Sequence, residues 1–533
     1  MSRLRHGLLA FASLLCLSLG SGCPLPQVGL DPDAVPPTAE HWIRFAHISD
    51  IHITDEESPA RALRFDGLIA SSWRPQEAYA VAIFDATLQA INRRHSDGAA
   101  VGRPVDFVLM TGDLTDLGQY NEFQWFLQTV DGEWVQPDSG IPDGAFRPID
   151  PTLNPKLPYR ASGLNPDIPW YAVIGNHDLL ATGNFPIRRT AADPLLWDAP
   201  LLKPVAIAFG LWRLTPRRNA LLPTDNQSPA IILGSQDVAD PVTMTLSLND
   251  LRAGPIVPDP DRHFMSRAMI INALFATKTQ PPGHGFSPEN LERDVGRYTF
   301  RPIPEVPLRF IVMDTVAPDP YYGLPLSFGV LTREQFESFV KPSVEEAKKN
   351  GEFVILVSHH PIRDFILPYP GSVKPFEIRA YLTKQPHIIA QIAGHSHVNR
   401  IQQVPGKYPY IELETGSIID MPQAGRLLDV YWDSTDKAIF LASTMFDHRE
   451  TPTPLSQEGA RRAALDPGTS RKTLSPEAAK LRRELEPFVP KEWLDAWLET
   501  PAANNEEDKA YPQNLWIKLP KPDFVPGLGE VQR

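Results

Sequence analysis

One local pattern recurs along the chain: four to six mostly apolar residues that stop at a polar cluster containing His, Asp or Asn. There are five such stops. Phe45-Ala46-His47-Ile48-Ser49 leads to Asp50-Ile51-His52, and Phe107–Met110 leads to Thr111-Gly112-Asp113-Leu114-Thr115-Asp116. Residues 171–174 lead to Gly175-Asn176-His177-Asp178, Phe353–Val357 to Ser358-His359-His360-Pro361, and Ile388–Ala393 to Gly394-His395-Ser396-His397. Continuous apolar runs of this length read as strands buried on both faces of a sheet. Polar residues just past the carboxyl ends of such strands converge on one edge, where α/β sheets place their sites. Residues 308–314 predict another buried strand. Helices fit between: over 75–94, Val81, Phe84, Leu88 and Ile91 share a face, and Thr332 caps a second helix carrying Phe336, Phe339 and Val340. Strand-like stretches at 410–414, 427–431 and 438–441 predict a second sheet, so the pattern as a whole is a layered α/β core.

Length and composition place the rest. A chain of 533 residues holds two to four domains, or one large domain with insertions. Of its 56 prolines, 39 fall in three spans outside the five motifs: eight in 132–170, twenty in 180–330 and eleven after Glu450. Proline at that density interrupts helices and central strands. Two Pro-rich insertions are therefore expected, 135–169 and 185–300, and the second accounts for the 183 positions separating Asn176 from His359. Both adjoin polar stops, so they either wall or cover the site or embellish the surface away from it. Residues 449–533 read as a Pro-rich extension wrapped irregularly on the core, with one short helix at 478–485. Cys16 and Cys23 are the only cysteines, so a disulfide framework, a thiolate zinc site and a thiol nucleophile are excluded. A net charge of −13 argues against a grip on nucleic acid backbones.

The first 22 residues have a basic start (Arg3, Arg5), an apolar stretch over 8–19 and small residues before Cys23. Twelve residues are too few to span a bilayer, and this order describes a secretory signal peptide. Cys23 after the small residues resembles the lipidation site of a bacterial lipoprotein signal. The expectation is a signal peptide over 1–22, lipidation at Cys23, a Pro- and Asp-rich tether over 23–40, and an exported protein anchored in the bacterial cell envelope, periplasmic or at the surface.

Asp50, His52, Asp113, Asn176, His359, His395 and His397 offer carboxylate, amide and imidazole ligands without sulfur, a set that suits two divalent ions, Mn, Zn or Fe(II), without selecting among them. Two such ions sharing a carboxylate clamp a phosphoryl oxygen and hold a hydroxide near neutral pH. The ordered series D-x-H, G-D-x-x-D, G-N-H-D, S-H-H-P and G-H-S-H resembles the calcineurin-like metallophosphoesterases over residues 45–446. That resemblance implies a four-layer αββα sandwich of two mixed sheets flanked by helices, with the catalytic domain over 41–448. It implies that Asp50, His52 and His397 hold one metal, that Asn176, His359 and His395 hold the other, and that Asp113 bridges them and is catalytic. His177 would contact the phosphate and protonate the leaving oxygen as general acid. Asp116 stands where purple acid phosphatases carry a metal-binding tyrosine, so a tyrosinate-bound Fe(III) is not expected. Asp116 and Asp178 read as supporting or turn residues, His47 as structural, and His360 as a neighbour of His359 whose role stays open. His284, in Pro281-Pro282-Gly283-His284-Gly285-Phe286, stands as either a pocket-border or a structural residue.

The implied function is phosphoester hydrolysis on a phosphorylated small molecule or lipid. A phosphodiesterase for nucleotides or lipid headgroups and a phosphomonoesterase share these motifs, and a surface protein that captures phosphorylated ligands without turnover is the rival from another class. No sequence signal bears on oligomeric state.

Overall fold

The computed structural model describes residues 26–58, 74, 76–140, 150–179, 259, 261–316, 328–365, 371–464 and 514–527. The signal-peptide segment, Cys23 and the expected helix at 478–485 lie outside the described residues, as does most of the second insertion. Two sheets carry the architecture. One has seven strands in the order Gln27–Gly29, Leu515–Pro520, Ala438–Asp447, Ala424–Asp433, Glu40–Ile48, Phe107–Met110 and Trp170–Ala172. The other has six: Arg400–Val404, Tyr410–Glu414, Ile388–Ala393, Phe353–Val357, Leu308–Val312 and Tyr298–Phe300. The fold is mixed α/β with helices packed on both sheets, as the sequence predicts.

Within each sheet the motif-bearing strands are parallel neighbours. Glu40–Ile48 pairs with Phe107–Met110 and that strand with Trp170–Ala172. In the second sheet, Leu308–Val312, Phe353–Val357, Ile388–Ala393 and Tyr410–Glu414 form one parallel block. The expectation of a second sheet built from 410–414, 427–431 and 438–441 is corrected. The first of these extends the block just described, whereas Ala424–Asp433 and Ala438–Asp447 form an antiparallel hairpin added to Glu40–Ile48. An apolar run reports burial and says nothing about which strand it will pair with.

The two sheets pack through aromatic side chains. Phe107 meets Phe310 edge to face at 5.3 Å, Phe45 stacks on Phe107 at 4.8 Å, and Trp42 lies 5.9 Å from Phe353. Along the second sheet the strand period of two separates two cores. Phe353, Ile355 and Val357 face the first sheet, while Val354 and Leu356 pack with Phe336, Val340, Val344, Ile378 and Leu382 of the helices outside. Thr332 caps that helical segment by accepting from Gln335 N at 3.1 Å. Helix Ala80–Ala99 covers the first sheet and buries the predicted face, Val81, Phe84, Leu88 and Ile91.

Among the described residues, three Pro-rich segments carry regular elements. In the tether, Gln27–Gly29 pairs with Leu515–Pro520 as the sheet's edge strand. In the tail, Leu515–Pro520 pairs with Ala438–Asp447, and helix Pro454–Ala463 places Arg462 over the Tyr79 ring at 4.9 Å. Buried Lys521 donates to the carbonyls of Ile388 (2.5 Å) and Pro409 (3.0 Å), which joins the tail to the second sheet. In the first insertion, Trp134–Val135 and Tyr159–Arg160 make a two-stranded ribbon.

His284 proves structural. Its ring stacks on Trp170 at 3.5 Å, with Nδ1 hydrogen-bonded to the Trp170 carbonyl at 3.1 Å and Nε2 to Thr277 Oγ1 at 2.6 Å. Trp170 opens its strand, so His284 lies at the end opposite the G-N-H-D turn. Burial lowers the His284 pKa to about 3. Below about pH 6.5 the unfolded chain takes up a proton that the folded chain refuses, so this residue costs stability as pH falls toward 3. Replacing His284 with Ala is expected to lower the unfolding free energy at neutral pH by about 2–4 kcal/mol. Denaturant melts should also show the variant's stability falling less steeply with acid, while turnover per folded molecule stays unchanged.

Candidate metal centre

Every residue of the predicted ligand set leaves the carboxyl end of a parallel strand or the turn just after it, three strands in one sheet and two in the other. The turns are tight. Asp50 (φ 53°), His52 (48°), Asp113 (50°), His395 (69°) and His397 (54°) all adopt left-handed backbone, and they are five of the nine non-glycine residues that do so among the described residues. Each such residue costs on the order of 1–3 kcal/mol, which the surrounding packing must offset. The conformation lets residues two apart, Asp50 with His52 and His395 with His397, reach one cavity. Gly112 (φ 92°) is required by proximity as well, since a Cβ there would lie 2.7 Å from Gly175 N and 2.8 Å from His359 Nδ1.

The cavity has two halves. In one, His397 Nε2 lies 3.2 Å from Asp50 Oδ1 and 3.1 Å from His52 Nε2. In the other, His359 Nε2 lies 3.0 Å from Asn176 Oδ1. Asp113 Oδ2 sits between, 3.8 Å from His52 Nε2 and 3.2 Å from His359 Nε2. His395 donates its backbone N–H to Asp50 Oδ2 at 2.9 Å, and its ring is 5.2 Å from that of His359. All seven predicted ligands are thus brought to one buried place.

Hydrogen bonds on the far side of each ring fix the tautomers. His52 Nδ1 donates to Asp116 Oδ1 (2.8 Å), His397 Nδ1 to Asp420 Oδ2 (2.6 Å) and His359 Nδ1 to the Thr111 carbonyl (2.7 Å). When the rings are neutral, each Nε2 therefore turns a lone pair toward carboxylate or amide oxygens that are themselves acceptors. Buried acceptors facing acceptors are unfavourable without a cation between them. This nitrogen and oxygen donor set fits divalent metal ions.

The electrostatics carry the same signature. Burial would lower the pKa of His397, but Asp50 and Asp420 outweigh it and raise the value to about 10. For His359, burial is likewise outweighed, chiefly by Asp113, and the pKa rises to about 9. Burial opposes ionisation of Asp50, yet His397, His359 and His52 hold its carboxyl well below the usual range. Protons on His359 and His397 thus stand in for metal charge, and metal binding must release them.

His177 lies at the rim with its side chain 15% exposed. Its Nδ1 donates to the Asp116 carbonyl at 2.7 Å, and its backbone N–H to Asp113 Oδ1 at 2.8 Å. That leaves Nε2 available to a ligand. Asp178 is a turn residue, accepting from Thr115 N (2.9 Å) and Gly175 N (2.7 Å). His47 is buried away from the cavity between Thr111 and Thr415. His360 hydrogen-bonds Thr315 Oγ1 through Nδ1 while Nε2 is buried without a partner, its ring 4.3 Å from that of His395. Ligand atoms of His359, His360 and His395 lie within 4.8 Å of one another, so the second half of the cavity has a further nitrogen at hand.

Three residues were not read from the sequence. Asp420 and Arg74 support His397 and His52, and Asp55 ties the first motif to both insertions. Asp55 accepts from Ser139 Oγ (2.9 Å) of the first insertion and from Arg262 Nε (2.6 Å) near the end of the second. A signal for Asp420 did exist. It follows Tyr410–Glu414, the next parallel strand, whose end is a sixth polar stop.

Residues 43–208 match the family model described as calcineurin-like phosphoesterase. That segment is similar to the calcineurin-like phosphoesterases, metal-dependent phosphoester hydrolases that use a dinuclear divalent metal centre. The matched span includes Asp50, His52, Asp113, Asn176 and His177, whereas His359, His395 and His397 lie beyond it. No curated protein matches the chain. Among solved structures, a dimetal phosphatase from Danio rerio is 13% identical, with 77% of this chain and all of that one covered and a TM-score of 0.32. The sulfate thiohydrolase SoxB from Thermus thermophilus is 12% identical (85% and 62% covered, TM-score 0.30). A Staphylococcus aureus protein described as a 5'-nucleotidase is 11% identical (80% and 58% covered, TM-score 0.30). The chain spans about three fifths of the length of these last two, and similarity at this level says nothing of substrate.

If the acceptors meet around bound ions, chelator-stripped protein gains stability when Mn2+ or Zn2+ is added, about 2.7 kcal/mol at a hundredfold excess over Kd. Thermal melts with and without metal should show that gain in the wild type and its loss in Asp113→Ala.

Proposed function

We propose that this protein is an exported hydrolase of phosphoesters, with Asp50, His52 and His397 holding one divalent ion, Asn176, His359 and His395 the other, Asp113 bridging, and His177 as general acid. The observation that supports this most directly is the convergence of buried carboxylate oxygens and imidazole lone pairs on one cavity, with His177 at its rim. When bound, two divalent cations supply Lewis acidity toward a phosphoryl oxygen and a nucleophile at neutral pH. The protein's own residues do the rest. Asp113 is pinned by the His177 backbone N–H, which keeps its second oxygen aimed between the halves. The Asp116 carbonyl holds His177 with Nε2 free to deliver a proton to a departing oxygen.

Export and anchoring rest on the first 23 residues, whose basic, apolar and small-residue order precedes Cys23. Loss of Arg3 and Arg5 on cleavage takes the net charge from −13 to −15, which favours a small phosphorylated substrate or a headgroup over a polynucleotide.

The test compares monoesters and diesters with good and poor leaving groups, using the wild type and His177→Asn loaded with Mn2+. A general acid at His177 predicts a loss of about 10²–10⁴-fold in kcat for poor leaving groups, and a much smaller loss for 4-nitrophenolate, which needs little protonation. Equal losses for both would remove His177 from that role, and no turnover of any ester by the wild type would remove the hydrolase reading.

A further inference from the structure

The two halves of the cavity are supported unequally. Behind His52 stands Asp116, and behind His397 stands Asp420, both carboxylates accepting from Nδ1. One side chain holds the pair. Arg74, fully buried, donates from Nη1 to Asp116 Oδ1 at 2.9 Å and from Nε to Asp420 Oδ1 at 2.9 Å and Oδ2 at 3.2 Å. Gln76 Nε2 adds a bond to Asp420 Oδ1 at 3.0 Å, and Ser417 Oγ accepts from the Asp420 backbone N–H at 3.2 Å. Among the described residues, the other half has nothing equivalent. His359 leans on the neutral Thr111 carbonyl, Asn176 is uncharged, and among the described residues no carboxylate takes a ring N–H of His395.

The difference has a chemical consequence. A carboxylate behind an imidazole fixes its tautomer and ring direction and makes the opposite nitrogen a stronger donor, whereas a carbonyl does the first without as much of the second. A guanidinium presents its N–H groups as a rigid planar fork, so one arginine can set the spacing of two carboxylates, which the point charge of a lysine cannot do. Arg74 is closed off from solvent. Its geometry acts on Asp116 and Asp420, and through them on His52 and His397.

We propose that Arg74 is a positioning residue for the metal centre, holding Asp116 and Asp420 so that the Asp50, His52, His397 half binds its ion first and more tightly than the Asn176, His359, His395 half. This inference rests on the metal-binding reading given under Proposed function. It assigns an order of filling and a residue outside the ligand set that determines it.

The experiment is calorimetric titration of the chelator-stripped full chain with Mn2+, read alongside the Mn2+ EPR spectrum. The wild type should bind in two resolved steps, with an isolated-ion spectrum at one equivalent and a spin-coupled spectrum appearing only with the second. Asp420→Asn keeps the shape and the hydrogen bond from His397 but removes the charge, so the tighter step should weaken by about 10–100-fold while the weaker step stays in place. Arg74→Lys and Arg74→Gln should each weaken the same step, and wild-type affinity at that step in either folded variant would remove Arg74 from this role. Simultaneous binding of both ions in the wild type, or weakening of the later step in Asp420→Asn, would overturn the order of filling and leave the metal reading standing. Absence of Mn2+ binding by the wild type would overturn both.

Discussion

The rest of this structure is organised around buried acceptors that face one another. Asp50 and Asp113 are fully desolvated carboxylates, and the Nε2 lone pairs of His52, His359 and His397 are turned toward them by hydrogen bonds on the opposite ring edges. No Lys or Arg pairs with Asp50 or Asp113 among the described residues. A cavity of this kind has two ways to balance its charge. It can protonate its imidazoles, as the raised pKa values of His359 and His397 express, or it can bind cations and release those protons. Much of the surrounding architecture keeps the first option from becoming a collapse of the cavity.

That architecture joins the centre to both sheets. The Asp50, Asp113 and Asn176 turns leave one sheet, the His359 and His395 turns leave the other, and the aromatic layer of Phe45, Phe107 and Phe310 fixes the distance between them. Left-handed backbone at five ligand positions stores strain that only a packed core can maintain. The same logic explains the far-reaching ties: Lys521 of the tail closes on the second sheet, and Asp55 gathers Ser139 and Arg262 from the two insertions beside the first motif.

The strand ends and their polar stops were legible because both signals are local: a short apolar run marks burial, and the residue types just after it mark chemistry. The helix face of Val81, Phe84, Leu88 and Ile91 and the Thr332 cap were legible for the same reason. What escaped depends on contacts between distant positions. Arg74 meets Asp116 across 42 positions and Asp420 across 346, and nothing beside Arg74 in the chain distinguishes it from a surface arginine. Pairing was hidden likewise. Residues 427–431 and 438–441 show their burial in their composition, but only the fold shows that they extend the sheet of Glu40–Ile48. Proline density drew attention away from a strand at Leu515–Pro520 whose alternating burial is plain once seen.

The most direct test is anomalous-scattering crystallography of the Mn2+-soaked protein, which counts and places the ions without reference to turnover. The account predicts two peaks at the carboxyl edge of the sheets, one enclosed by Asp50, His52 and His397, the other by Asn176, His359 and His395, with Asp113 between them. A cavity with no ion, or ions bound only elsewhere on the chain, would contradict it.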